Sequence, residues 1–211
     1  MKVKICGITN LADAEESARL GAWAVGLVHY GASPRRCTPA DAAQIGAALR
    51  RRCEVAGVFV NPTLEEVDEA VENAGLTIVQ LNGSEGASFC TEVARRTGAK
   101  VMKAIQVSSA ADVHRAEAYH TDFHLFDTRR AGLFGGTGET FDWELLAGRR
   151  SAVPFVMAGG LRPDNVGEAI AAGHPFGVDV ASGVEAEPGR KDPKLLAAFF
   201  EAARAASPTA A

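Results

Sequence analysis

The sequence has neither an excess of basic residues nor a long apolar run, and each absence argues against a class of protein. It carries 22 Lys and Arg against 26 Asp and Glu, for a formal charge of -4 and a pI near 5.8. A nucleic-acid-binding protein usually shows a basic patch, which this balance does not favour. No apolar run approaches the roughly 18 residues of a membrane helix. We therefore expect no nucleic-acid partner and no membrane partner.

Cysteine and histidine are scarce, and neither has the spacing of a metal site. The four cysteines are scattered without a CxxC pair: Cys6, Cys37, Cys53 and Cys90. Unpaired, dispersed thiols suit a reducing compartment. The N-terminus reads as a strand rather than a signal peptide, so we expect a cytoplasmic protein. The Rossmann fingerprint is also absent, and the sequence predicts no metal and no cofactor.

What the sequence does have is the composition and length of one globular domain. Its 211 residues are 47% hydrophobic and 23% charged. That length suffices for one buried core and is short for two. No linker or low-complexity tract divides the chain. We therefore expect one domain over residues 1–205 and a frayed tail over residues 206–211.

Short apolar runs alternate with amphipathic segments along the whole chain. The runs predict eight strands, namely Val3–Cys6, Val25–Val28, Val55–Val60, Ile78–Leu81, Val101–Ile105, Phe123–Phe126, Phe155–Met157 and Val178–Val180. The segments between them predict helices at Leu11–Leu20, Pro39–Arg51, Leu64–Ala74, Ser88–Arg96, Ala110–Ala118, Phe141–Leu146, Pro163–Ala171 and Pro193–Ala205. Apolar strands that alternate with helices indicate a parallel sheet. Eight such units fill the chain, so the expected fold is an α/β single-domain (β/α)8 TIM barrel, with an open doubly wound sheet as the alternative.

Two glycine turns near the C-terminus suggest a phosphate site. Gly159-Gly160 follows the seventh predicted strand, and Ser182-Gly183 follows the eighth. Strand ends of this kind offer backbone N–H groups that no side chain shields from an anion. The loops after strands seven and eight often bind phosphate in such barrels, whereas either turn alone reads as an ordinary glycine turn.

Two candidates for proton transfer lie at the ends of other strands. Cys6 ends the first strand on the same face as Lys4, whose charge could lower the pKa of the thiol. The alternative is a small buried hydrophobic residue. Asp127 ends the sixth strand, where an ionisable group is costly unless paired or functional, and an ion pair with Arg129 or Arg130 is the alternative. The glycine-rich loop that follows, over residues 128–140, is a candidate lid.

Further polar residues at strand ends are candidates for binding substrate. Arg35 follows a rigid Ser-Pro turn and could present a planar fork to a carboxylate, with a solvated surface pair of Arg35 and Arg36 as the alternative. Gln80 and Asn82 supply amides after the fourth strand. Asp179 lies in the eighth strand, either as a substrate contact or as a buried partner of Lys4. A thiol base and a carboxylic acid on separate strands suit proton transfer beside a carbonyl or imine.

Together these segments resemble the phosphoribosylanthranilate isomerase family. The resemblance runs from Lys2 to about Phe200 and rests on the following motifs: Lys4-Ile-Cys6-Gly7-Ile-Thr9, Ser33-Pro34-Arg35, Gly57-Val-Phe-Val60-Asn61, Val79-Gln80-Leu81, Leu125-Phe-Asp127-Thr128, Gly135-Gly-Thr-Gly138, Ala158-Gly-Gly-Leu161 with Pro163-Asp-Asn165, and Gly177-Val-Asp-Val180 with Ser182-Gly-Val-Glu185. Their order and spacing are more specific than any one of them.

The resemblance implies an activity and assigns roles to residues. The family carries out a cofactor-independent Amadori rearrangement of N-(5-phosphoribosyl)anthranilate in tryptophan biosynthesis. The resemblance implies that Cys6 is the general base, Asp127 the general acid and Arg35 the group that holds the anthranilate carboxylate. It assigns the phosphate to Gly159, Gly160, Ser182 and Gly183. We expect a small phosphoribosyl substrate as the partner of a monomer or homodimer.

Two positions depart from the family pattern, and three other functions compete with the implied one. Asn82 stands where the family commonly has histidine, and His29 where it usually has an apolar aromatic residue. These changes keep open a relative that isomerises another phosphoribosyl aryl amine. The related histidine-pathway isomerase would need a second glycine cradle in the first half of the chain and a carboxylate at position 6. A barrel that only binds phosphosugars would be expected to lose Cys6 or Asp127.

Overall fold

A computed structural model describes residues 1–128 and 142–207. Three features of the sequence lie wholly or mostly outside these residues: the predicted lid at 128–140 apart from Thr128, the possible partners Arg129 and Arg130 of Asp127, and the end of the tail at 208–211.

Eight parallel strands form a closed barrel: β1 (Lys2–Cys6), β2 (Ala24–Val28), β3 (Glu54–Phe59), β4 (Ile78–Leu81), β5 (Lys100–Val107), β6 (Phe123–Thr128), β7 (Phe155–Met157) and β8 (Gly177–Val180). Closure is seen at Lys4, which pairs with Ala24 of β2 on one side and with Asp179 of β8 on the other. The predicted barrel is confirmed, and the open doubly wound sheet is wrong.

The helices that separate the strands are α1 (Leu11–Arg19), α2 (Pro39–Leu49), α3 (Leu64–Ala74), α4 (Ala87–Thr97), α5 (Ala110–Arg115), α6 (Val166–Gly173) and α7 (Pro193–Ala205). Short 3-10 turns cover Ala116–Ala118, Trp143–Gly148 and Ser182–Val184. The helix predicted at Phe141–Leu146 is wrong in type, because its described part belongs to the second of these turns. An unpredicted hairpin follows β8, formed by β9 (Glu185–Glu187) and β10 (Arg190–Lys191).

Local signals place most helix ends. Thr38 caps α2 ahead of its first-turn proline, and Thr63 forms a capping box with Glu66 at the start of α3. The left-handed residue that caps the end of α6 is His174 rather than a glycine. Gly173 instead lies inside α6, where a Cβ would overlap the Met157 side chain, so the glycine lets α6 approach β7.

The core has two layers. Apolar side chains on the outer face of the strands, such as Leu27 and Phe126, share one core cluster with helix residues such as Phe199. A second cluster fills the barrel interior and consists of Ala24, Ala56, Ile78, Met102, Ala104, Phe123, Leu125, Val156 and Ala158. Trp23 packs on Phe123 and Phe176 at the amino ends of the strands. Polar side chains therefore collect at the opposite, carboxyl ends.

The chain after α7 remains packed for two residues. Ala206 packs against the core, and the Ser207 hydroxyl donates to the Ala203 carbonyl at 2.8 Å. The structure describes only these two residues of the tail at 206–211, so its fraying stays a prediction. Within residues 1–128 and 142–207, no helix has the length and apolar character needed to cross a membrane.

Candidate active site

The carboxyl ends of β6, β7 and β8 enclose a small cavity of about 40 Å³. Asp127 lines it from β6, Gly159 and Gly160 from the turn after β7, and Asp179 and Ser182 from β8 and the turn after it. The structure thus brings together five of the residues that the sequence singles out. Both halves of the predicted anion cradle face one space, beside the predicted acid.

The glycine turns are needed for this close packing. Gly159 and Gly160 have φ angles of +87° and +63°, which side chains on L-residues rarely adopt. A Cβ on Gly159 would overlap the Thr128 hydroxyl and lie 3.0 Å from Asp127 Oδ1. Gly183 does not line the cavity. A Cβ there would overlap the Leu161 carbonyl oxygen, so Gly183 lets the turns after β7 and β8 touch.

Lys4 is the buried cation at the centre of the site. Its side chain is 0% exposed, and Nζ lies 2.9 Å from Asp179 Oδ1. The structure thus contains the Lys4–Asp179 pair that the sequence offered as one role for Asp179. Burial lowers the pKa of Lys4, but the negative charges of Asp179 and of the Cys6 thiolate outweigh it and raise the pKa overall. Lys4 therefore stays charged.

Asp127 is held in its protonated form up to neutral pH. Burial of the carboxyl and the negative charge of Asp179 raise its pKa to about 7, although the Thr128 N–H donates to Oδ1 at 2.8 Å and Lys4 is near. A carboxylic acid in this range can donate a proton near neutral pH.

Cys6 shares the barrel interior with Lys4, as the alternation of β1 predicts. A Cβ on Gly26 would lie 2.9 Å from Cys6 Sγ and 3.1 Å from Lys4 Nζ, so this glycine makes room for both side chains. The expectation that Lys4 leaves the thiol with a lowered pKa is wrong. Burial raises the pKa of Cys6, and the opposing charges of Lys4 and Lys191 offset only part of that rise.

Arg35 lies over the end of β1 and pairs with a residue to which the sequence assigned no role. Its Nε donates to Glu185 Oε1 at 2.9 Å, and its Nη2 donates to Glu185 Oε2 at 2.7 Å. A Cβ on Gly7 would lie 2.7 Å from Arg35 Cδ, so Arg35 packs directly on the residue after Cys6. One edge of the guanidinium that was predicted to hold a carboxylate is therefore paired with the carboxylate of Glu185.

The model of the family described as N-(5'-phosphoribosyl)anthranilate (PRA) isomerase matches residues 3–202. The chain belongs to the phosphoribosylanthranilate isomerase family. The resemblance drawn from the sequence motifs is confirmed.

Individual relatives match over nearly their whole length. The N-(5'-phosphoribosyl)anthranilate isomerase of Pelobacter propionicus is 43% identical, over 97% of this chain and 96% of that protein. A structure of monomers of the dimeric enzyme from Thermotoga maritima is 39% identical with a TM-score of 0.84, covering 97% and 99% of the two chains. The same values hold for a phosphoribosylanthranilate isomerase in complex with reduced 1-(o-carboxyphenylamino)-1-deoxyribulose 5-phosphate.

In this isomerase, Lys191 joins the ends of β1 and β8. Its side chain is 1% exposed, and Nζ donates to Cys6 O at 2.7 Å, Ala181 O at 3.1 Å and Glu185 Oε1 at 2.9 Å. Sequence reasoning missed Lys191, because a lysine near a short Pro-Gly turn reads as a surface residue. The one signal in the sequence was the neighbouring family motif that ends in Glu185.

The amides after β4 form a directed pair. Gln80 Nε2 donates to Asn82 Oδ1 at 2.9 Å, so the amide nitrogen of Asn82 remains available as a donor. Gln80 Oε1 is buried and has no hydrogen-bond partner in the described part of the chain. Asn82 also lines a second cavity of about 630 Å³, with Lys103 and Tyr119.

A second buried ion pair supports this loop. Lys103 Nζ lies 2.6 Å from Glu85 Oε2, and the other oxygen of Glu85 accepts from the backbone N–H groups of Asn61 and Gly83. Lys103 also donates to Gly83 O at 2.7 Å. The pair ties the loop that carries Asn82 to the loop after β3, and sequence reasoning missed it too.

His29 packs against an aromatic residue of β3. Its ring stacks on Phe59 with centroids 4.8 Å apart, and it lines a third cavity of about 580 Å³ beside Tyr30 and Arg36. Burial and the charge of Arg36 lower its pKa. Across residues 1–128 and 142–207, no group of three or more His, Cys, Asp or Glu side chains could hold a metal ion.

Proposed function

We propose that this chain converts N-(5-phosphoribosyl)anthranilate into 1-(2-carboxyphenylamino)-1-deoxyribulose 5-phosphate by an Amadori rearrangement. One observation carries the proposal: Asp127, with a pKa of about 7, lines the same cavity as the two glycine turns. An acid that is protonated near neutral pH then sits beside an anion cradle, and family membership supplies the substrate class.

The phosphate occupies the turns after β7 and β8. Among the described residues, the N–H groups of Gly159 and Gly160 donate to no protein acceptor. Both residues have positive φ angles, a backbone conformation that glycine adopts without steric cost. Ser182 adds a hydroxyl, and Gly183 keeps the two turns in contact. One cradle matches a substrate with one phosphate.

Asp127 acts first as the general acid. It gives its proton to the ribose ring oxygen, the C1′–O bond breaks, and the nitrogen lone pair forms the Schiff base. The Cys6 thiolate then removes the C2′ proton, the electron pair of that bond forms the C1′=C2′ double bond, and the π pair of the C=N bond returns to nitrogen. The resulting enol becomes the ketone by proton shift from the C2′ hydroxyl to C1′. Lys4 stabilises the thiolate during these steps.

The anthranilate half binds toward β2 and β4. Arg35 holds the carboxylate with the guanidinium edge that Glu185 leaves free. Asn82 donates its amide N–H to substrate, since Gln80 occupies its oxygen. Asp179 contacts the sugar while it pairs with Lys4.

The setting of the protein follows from the same features. We propose a small phosphoribosyl molecule as its partner and either a monomer or a homodimer as its assembly, since a Thermotoga maritima relative is described as dimeric. All four cysteines are free thiols, which supports a cytoplasmic location.

A fluorescence assay tests the proposal. Purified protein is mixed with freshly made N-(5-phosphoribosyl)anthranilate in EDTA, and loss of the anthranilate fluorescence is followed. We expect efficient turnover that EDTA does not reduce. A folded protein that does not turn this substrate over, yet binds the reduced product analogue, would contradict the proposed substrate. It would direct attention to another aryl amine, with Asn82 and His29 replaced first.

A further inference from the structure

The hairpin after β8 reaches back across the end of β1. The Thr9 hydroxyl donates to the Gly189 carbonyl at 2.6 Å, and the Lys191 N–H donates to Asp13 Oδ2 at 2.9 Å. These contacts join residues that are about 180 positions apart in the chain. The hairpin is therefore fixed to the β1–α1 loop, and its side chains reach the mouth of the barrel.

Glu185 is the side chain that this hairpin places beside the site. It is 4% exposed and accepts hydrogen bonds from Arg35 and Lys191. The N–H of Gly189 also donates to it at 3.3 Å. A carboxylate this well satisfied has one defined position, and that position determines where the Arg35 guanidinium lies.

Within the described residues, Glu185 does not use all the hydrogen-bond donors of this group. Arg35 and Lys191 each carry one positive charge, and Glu185 carries one negative charge. The three N–H donors of the Lys191 ammonium match its three acceptors, Cys6 O, Ala181 O and Glu185 Oε1. The remaining donors belong to Arg35, which pairs only with Glu185 among the described residues and is 15% exposed.

We propose that Glu185 is a positioning residue, which holds Arg35 so that its free edge meets the carboxylate of the substrate. This role rests on the proposed function. An arginine side chain loses much rotamer freedom when it is fixed, and a protein carboxylate that fixes it in advance removes that cost from binding. Lys191 donates a hydrogen bond to Glu185 and another to the Cys6 carbonyl. It thereby fixes the position of Glu185, and so of Arg35, relative to the Cys6 thiol.

The test measures how much more tightly the protein binds a ligand with a carboxylate than the same ligand without one. Two ligands are compared by titration: the reduced product analogue, and the same molecule with phenyl in place of carboxyphenyl. We expect the unsubstituted protein to prefer the first. Glu185→Gln should weaken binding of the first ligand about tenfold, raise KM similarly and change kcat by less than about threefold, because Glu185 acts on the substrate through Arg35 and the glutamine oxygen can still accept from Lys191. Binding of the phenyl ligand should change less than about twofold.

Controls separate this role from a merely structural one. Glu187→Gln removes an exposed carboxylate from the same hairpin and should change neither ligand's binding. In an Arg35→Ala background, Glu185→Gln should have little further effect, since Glu185 acts through Arg35. Glu185→Asp keeps the charge and should restore part of the preference. It also supplies the comparison if the glutamine variant does not fold.

Each outcome has one meaning. Equal weakening of both ligands, or an unchanged preference in a folded Glu185 variant, overturns the positioning role. An unsubstituted protein that shows no preference for the carboxylate and no turnover contradicts the proposed function instead. If the unsubstituted protein turns the substrate over and Glu185→Gln binds both ligands as the unsubstituted protein does, the proposed function stands. Only the positioning role of Glu185 is then rejected.

Discussion

The pKa of Asp127 depends on side chains from other strands. Its pKa rises to about 7 because the carboxyl is buried and because Asp179 contributes a second negative charge from β8. Asp179 itself is fixed by Lys4 of β1. The pKa of Asp127 on β6 is therefore set by side chains from β8 and β1, and β1 lies beside β8 only because the barrel closes.

Replacing Asp127 by asparagine tests its role as the acid. Asparagine has nearly the same shape but cannot donate a proton in this way, so Asp127→Asn should lower kcat by about a thousandfold or more. Binding of the reduced product analogue and the circular dichroism spectrum should stay close to those of the unsubstituted protein. Turnover within about tenfold of normal would rule out Asp127 as the acid.

The pH profile of kcat/KM should bend at the pKa of Asp127. Cys6 must lose its proton and has a raised pKa, whereas Asp127 must keep its proton and has a pKa of about 7. Well below pH 7 Asp127 is mostly protonated, and the thiolate fraction falls about tenfold per pH unit, so kcat/KM should fall with it. Above pH 7 the loss of protonated Asp127 cancels the gain in thiolate.

Kinetics between about pH 5 and pH 9 would show this as a rising limb followed by a level region. The bend near pH 7 then reports Asp127, although Asp127 is active in its protonated form. A profile that rises steadily through this range without a bend would mean that Asp127 does not ionise near neutral pH in the free enzyme.

At the scale of elements, the turn after β7 depends on a glycine for two separate reasons. Gly159 needs a positive φ, and it also needs to be free of a side chain next to Thr128 and Asp127. Gly98, at the end of α4, has a φ of +67°, and no described residue lies within 4 Å of the place that a Cβ would take. At both positions the backbone conformation would strain a residue with a side chain, but only Gly159 is also closely packed.

Alanine at each position separates the two causes. Gly98→Ala should cost about 1 kcal/mol of stability and leave turnover unchanged. Gly159→Ala should also push the β6 and β7 ends apart and lower kcat/KM about a hundredfold, because the acid and the phosphate cradle separate. Thermal melts and steady-state kinetics check both variants. Equal effects on turnover would show that the close packing at Gly159 is unimportant.

The element boundaries show which local signals were sufficient. The helices α2 and α3 start at Pro39 and Leu64, as predicted, and a threonine caps each of them. At the end of α6 the glycine does not take the left-handed cap position, because Gly173 makes room for Met157 and His174 is the cap. The β9–β10 hairpin was missed because its two strands are 3 and 2 residues long, which is too short to show a period.

At the scale of the whole molecule, we propose that residues 1–205 form one folding unit. The strand order runs without a break from β1 to β8, and β8 pairs with β1. Since each strand depends on two neighbours, removing any one of them opens the barrel. The loss of structure should then be cooperative.

Thermal unfolding measured in two ways tests this proposal. Trp23, at the amino ends of the strands, reports packing against Phe123 and Phe176, which belong to the middle and the last quarter of the chain. Its fluorescence and the far-ultraviolet circular dichroism should change together in a single transition. Two separate midpoints would show that parts of the chain unfold independently, against the single domain.

Periodicity and turn chemistry, which are properties of the sequence alone, determined much of this protein. The alternation of apolar runs with helical segments specified a (β/α)8 barrel, and the shared face of Lys4 and Cys6 followed from the two-residue period of a strand. The glycine turns after β7 and β8 were also evident, because phosphate cradles depend on backbone geometry that short motifs encode.

Only the tertiary structure decided the electrostatics of the site. The net pKa of Cys6 depends on how deeply it is buried relative to the charges of Lys4 and Lys191, and no neighbour in sequence reveals that balance. Arg35 and Glu185 are 150 residues apart, and their pairing exists only because the hairpin crosses β1. Local signals reach a few residues along the chain, whereas burial and charge act through space.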